Sequence, residues 1–221
     1  MAEEARELLE MLGRVERYIH YLNVRAAGHT YVAFGLAVAI GAIASFLAEP
    51  LCKLVGLPIG PVIGLIWMTA IGTAVVVSGT SWARVKQFML AQRPPEERKR
   101  LWRQMRKADL TWIIGWIGSL GLWGFLGFSF LWARPGALWA LYTACVGLGN
   151  LITYLAPGGG ERETLYVALT LMACSPLALP AALISSWAPF AVAVAAVLAT
   201  YFWAGLRFYR RAEALLAGQE G

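Results

Sequence analysis

Long uncharged apolar runs alternate with short charged segments along this chain, and that alternation predicts its elements. No charge interrupts Thr30 to Ala48, Leu54 to Ala83, Leu110 to Ala133 or Ala137 to Ala156, and 43 uncharged residues follow from Thr164 to Leu206. A helix rises 1.5 Å per residue, so about 20 apolar residues cross a hydrocarbon core about 30 Å thick. The last run is long enough for two crossings, with Ser185-Ser186-Trp187-Ala188-Pro189 as the natural turn between them. The pattern predicts an all-α, polytopic membrane helix bundle with six transmembrane helices, at about 30–48, 59–81, 110–132, 137–156, 164–184 and 189–207. Glu49-Pro50 and Lys53 read as the exit from the first span, Pro58 and Pro61 as the start of the second. Residues 29–207 then form the membrane domain, preceded by a cytosolic helix over 1–28 and followed by a cytosolic tail over 208–221.

Two segments carry helical periodicity outside the spans. From Glu3 to Arg25, Leu8, Leu12, Val15, Ile19 and Leu22 recur at alternating spacings of four and three, an amphipathic stripe about two heptads long. Five acids against four bases in that stretch make it a poor match to anionic lipid, since helices lying on such surfaces carry Lys and Arg on their polar face. Packing against protein is the reading that fits. Between spans two and three, over 82–109, Pro94-Pro95 forces a turn, with Glu96 and Glu97 placed where a new helix start favours acids. Leu101, Trp102, Met105 and Ala108 give this helix an apolar face, so the segment reads as a helical hairpin. Leu8, Leu12, Val15, Ile19, Leu101, Trp102 and Met105 are therefore the candidate partner-contact surface, for a soluble protein or for a homo-oligomer.

Inside the spans two patterns stand out. Gly115, Gly118, Gly121, Gly124 and Gly127 recur every third residue, interleaved with Trp112, Trp116 and Trp123. Because three does not match 3.6 residues per turn, they wind around the helix as a candidate close-packing groove. Asn150 is the only Asn or Gln within any span. In the fifth span Pro176 and Pro180 each leave the carbonyl four residues earlier without its helical donor. Asn150, Met172, Pro176 and Pro180 thus form a candidate polar and kink site, in which the Asn150 amide is expected to donate to the freed Met172 carbonyl.

Charge adds an orientation. Nine of the 19 Lys and Arg lie between Arg84 and Lys107. If that segment is cytoplasmic, both termini are cytoplasmic as well, and seventeen cations fall inside against Lys53 and Arg134 outside. This is the expected N-in, C-in topology in a cell membrane, plasma or inner, with the loop from Pro157 to Glu163 also cytoplasmic. Apolar residues make up 59% of the chain and charged residues 14%, far from a soluble domain's roughly 25% charged. The net charge of +6 is therefore accounted for by topology, and nucleic acid is not an expected partner. Membrane lipid is. The N-terminus does not read as a secretory signal, because Glu3, Glu4, Glu7 and Glu10 precede any apolar stretch.

The missing chemistry narrows the function. No Asp, Glu, Lys, Arg or His lies mid-span, which disfavours ion-coupled transport, whose carriers keep an ionisable group at depth. Cys52, Cys145 and Cys174 have no metal-ligand spacing, His20 and His29 sit at the cytoplasmic edge, and no H-E-x-x-H, G-x-S-x-G or phosphate-loop motif occurs. No cofactor, metal or catalytic residue is expected. Six spans, an amphipathic N-terminal helix and a helical hairpin between spans two and three resemble the layout of ABC-2-type export permeases. That resemblance implies a permease-type transport subunit whose hairpin touches a cytosolic partner such as an ATPase. The other reading is a non-transporting membrane scaffold, assembly, regulatory or sensor subunit that binds a soluble protein through the same helices.

Overall fold

The computed structural model describes residues 2–131, 133–156 and 160–217, and every regular element among them is helical. These are α1 (Ala2–Val55), α2 (Ile59–Ala91), α3 (Pro95–Leu126) continued by a π-turn (Gly127–Leu131), and α4 (Pro135–Leu155). Then follow α5 (Arg162–Cys174) with a 3-10 turn (Ser175–Leu177), α6 (Ala178–Ala181) and α7 (Ala188–Leu216). Six stretches are long and apolar enough to cross a membrane. Pro157, Gly158 and Gly159 of the expected loop and the last four residues of the expected tail lie outside the described residues.

The amphipathic segment and the first span are one unbroken helix of 54 residues. At 1.5 Å per residue it is about 80 Å long, far more than a bilayer core requires. It does not stop at Glu49-Pro50. Lys53 bonds Glu49 one turn earlier at 2.8 Å, and the helix runs to Val55. Its stop is Gly56, whose φ of 71° belongs to the left-handed region that favours glycine. The Leu57 N–H reaches back to the Cys52 carbonyl at 3.0 Å, closing a Schellman-type end.

Small residues set the packing. A Cβ on Gly205 of α7 would stand 2.6 Å from Val32 Cγ2, and one on Gly28 of α1 would stand 3.1 Å from Phe208 Cβ, so α1 and α7 meet almost backbone to backbone. Gly147 of α4 faces the Ala168 carbonyl and Met172 of α5 in the same way. Around these contacts Val24, Val38, Val146, Val167, Leu171, Val197 and Phe208 form the core. Helix α2 packs on the outer side of α1, and α3 on the outer side of α4. Those two outer helices barely touch each other beyond the hairpin that joins them.

Contacts along the bundle show that the long helices alternate in direction. Tyr18 meets Phe88, His29 meets Tyr209, Lys86 meets Asp109 and Arg211 meets Glu161 at one end. Phe46 meets Trp187, and Gly136 meets Ala178 and Ala182, at the other. The cation-rich segments therefore gather at a single end of the molecule.

Candidate functional site

Asn150 is buried at 3% exposure, and its bonds run to helices other than α5. Its Oδ1 accepts the Tyr31 hydroxyl of α1 at 3.0 Å. Its amide donates to the Val146 carbonyl of its own helix at 2.9 Å and to the Tyr201 hydroxyl of α7 at 3.1 Å. Both amide hydrogens are thereby used, as a buried amide requires. The rings of Tyr31 and Tyr201 meet edge to face at 5.2 Å, and Tyr31 stacks on Phe208 at 5.6 Å. One amide ties three helices.

The expected bond from Asn150 to the Met172 carbonyl is not made. That carbonyl accepts the Ser175 hydroxyl at 2.8 Å, a donor on its own chain three residues away. The register also differs: Gly147, not Asn150, is the α4 residue that faces Met172. The fifth span is interrupted at its prolines. Helix α5 ends at Cys174, and Pro176 sits inside the 3-10 turn that separates it from α6, which contains Pro180. Met172, Pro176 and Pro180 thus mark a break in the fifth span that lies apart from the Asn150 node.

A second polar cluster closes the same end of the bundle. Arg211 of α7 bonds Glu161 at the start of α5 at 2.6 Å, and Glu163 lies 3.7 Å from the same nitrogen. Nearby, Arg25 donates to the Tyr21 hydroxyl. Thr30 accepts the Trp82 indole at 3.0 Å and the Ser78 hydroxyl at 2.7 Å while donating to the Ala26 carbonyl, tying α1 to α2. The Trp116 indole donates to Thr153 at 3.2 Å, tying α3 to α4.

The expected partner-contact residues divide. Trp102 is 54% exposed, Val15 is exposed, and Ile19, Leu101 and Met105 are half-buried. The side chains of Leu8 and Leu12 lie outside the described residues. Of the five spaced glycines, Gly115 faces Ile152 and Gly127 faces Leu138, each so closely that a Cβ would collide. Gly118, Gly121 and Gly124 meet nothing within 4 Å among the described residues, so no described side chain fills a groove at them. Among the described residues no group of three His, Cys, Asp or Glu side chains could hold a metal.

Sequence reasoning missed Tyr31, Tyr201 and Arg211. A signal existed for the tyrosines: Tyr31, Asn150 and Tyr201 sit within a few residues of the cytoplasmic ends expected for their spans. The chain matches no family model, and no curated protein or solved structure is measurably similar to it.

Proposed function

We propose that this chain is a non-transporting, multi-pass membrane scaffold or regulatory subunit, N-in and C-in, that holds a soluble protein at the cytoplasmic face. The observation that carries this reading is the Asn150 node. The one side-chain amide of the spans accepts from Tyr31 of α1 and donates to its own helix and to Tyr201 of α7, so its oxygen and both its hydrogens are engaged, and it is buried rather than turned toward a path. A substrate route needs polar groups free to exchange partners. Two hollows lie on exposed polar turns of α1 and α3, at Glu3–Glu10 and Pro95–Lys107, outside the apolar length of the bundle. The cation count supports the orientation. The long first half of α1, the end of α2 and the start of α3 then stand out from the membrane as a platform.

The permease reading keeps one observation in its favour, the broken fifth span at Ser175–Leu177. Two measurements decide between them. The full-length chain, carrying a photo-cross-linker at Val15 or Trp102 in native membranes, is expected to trap one soluble protein at near-stoichiometric yield. Solute flux in proteoliposomes, with or without that protein, would reject the scaffold reading in favour of the permease.

A further inference from the structure

The start of α3 carries cations on one side only. On a helix turning 100° per residue, Lys99, Arg100, Arg103, Arg106 and Lys107 fall within an arc of about 120°. All five are exposed, and none has an ion-pair partner among the described residues. The opposite side of the same helix is already used. Arg98 donates to the Arg93 carbonyl at 2.6 Å and the Ala91 carbonyl at 3.2 Å, capping the end of α2, and Asp109 holds Lys86 at 2.6 Å. The basic arc therefore looks away from α2, with Glu96 at its tip as the one acid that shares it.

Distance separates lipid from protein as the occupant. Helix α3 is unbroken from Pro95 to Leu126, so the basic turns stand up from the apolar run and do not lie along the surface. Measured from Leu110, Arg106 and Lys107 lie about 5 Å out, Arg103 about 10 Å, and Arg100 and Lys99 about 15 Å. The headgroup layer on each side is about 5–8 Å deep. Lipid phosphates can reach the inner two cations. Arg103 stands within a few ångströms of that layer, and Arg100 and Lys99 about one Debye length (about 8 Å) beyond it, where the membrane's attraction falls to about a third. Trp102, exposed about 40° beyond the Arg106 edge of the arc, adds the aromatic that protein interfaces favour beside arginine.

We propose that the face formed by Lys99, Arg100, Arg103 and Trp102 docks an acidic helical surface of a soluble protein. This rests on the scaffold reading above and names the chemistry of its partner. The cations at positions i, i+1, i+4, i+7 and i+8 line about 12 Å of one helix side, the length of two turns of a helix laid alongside.

The test uses the full-length chain in phosphatidylcholine nanodiscs. The probe is a helical peptide of about four turns with glutamates on one face; its control has the same composition with the glutamates spread around the helix. The one-faced peptide is expected to bind more tightly than the control. The triple substitution K99E/R100E/R103E should weaken that binding about tenfold or more, and K53E at the opposite end should leave it unchanged. Trp102→Ala, which leaves every charge in place, should also weaken it severalfold. Equal binding of both peptides, or unchanged binding by the triple variant, would overturn the proposal. So would binding that requires phosphatidylglycerol in the disc, which would make this face a lipid anchor. If the triple variant still traps the same soluble protein in native membranes, this face is wrong while the scaffold reading stands.

Discussion

The Asn150 amide nitrogen lies 3.1 Å from the Tyr201 hydroxyl, a buried bond between residues 51 positions apart. Hydrogen bonds inside membranes contribute less than their isolation suggests, because the unfolded chain in lipid also finds partners. A double-mutant cycle of Asn150→Leu and Tyr201→Phe should therefore give a coupling of about 0.5–2 kcal/mol. Denaturation in mixed SDS micelles, followed by tryptophan fluorescence, measures it. A coupling of zero would mean that the amide does not hold α7 to α4.

The glycines separate two roles. At Gly147 a Cβ would stand 2.7 Å from Met172 Cγ and 3.0 Å from the Ala168 carbonyl, and backbone cannot swing aside. Gly147→Ala should destabilise the bundle by about 1–3 kcal/mol. At Gly118 nothing among the described residues lies within 4 Å, so Gly118→Ala should be neutral or stabilising by up to about 1 kcal/mol. Thermal melts of the two variants in detergent should move in these opposed directions.

Arg211 closes α7 onto the start of α5 through Glu161 and Glu163. Glu163 is the more enclosed carboxylate, and its Oε2 is buried beyond hydrogen-bonding distance of the guanidinium. Arg211→Gln removes the compensating charge and should cost about 1–2 kcal/mol, since the Arg211 and Glu161 side chains remain about a third exposed. Adding Glu163→Gln to that variant should restore part of the loss. Urea or SDS titrations of the single and double variants check the order.

Orientation has a direct readout. Single cysteines from Lys99→Cys and Arg134→Cys, in a background with Cys52, Cys145 and Cys174 replaced by alanine, should be labelled by a membrane-impermeant maleimide from opposite sides. Position 99 should react only when the cytoplasmic face is opened. Labelling of both from one side would remove the basis for the cytoplasmic platform.

Much of this fold was legible because the bilayer constrains it so strongly. In lipid each backbone polar group must be satisfied within its own helix, so an uncharged run such as Leu110–Ala133 has essentially one way to cross. Proline marked Pro94-Pro95 as a turn before α3 and Pro176 and Pro180 as kink positions for equally local reasons, and the structure interrupts the fifth span at Ser175–Leu177. Helix ends were less legible. Whether α1 stops at Pro50 or at Gly56 depends on one left-handed residue and one bond from Leu57 to Cys52. Helix α1 runs unbroken through residue 28 because a change from polar to apolar surroundings does not itself break a helix.

Amino-acid order alone determined that six helices are apolar enough to cross a membrane and that the cations belong to one end, since both follow from transfer energies summed along short segments. Tertiary structure alone decided which groups meet. The rotation and depth of each helix depend on where Gly28, Gly147 and Gly205 let backbones approach, and those contacts join residues far apart in the chain. That is why Asn150 found Tyr31 and Tyr201 rather than Met172, and why the basic arc of α3 is left facing outward.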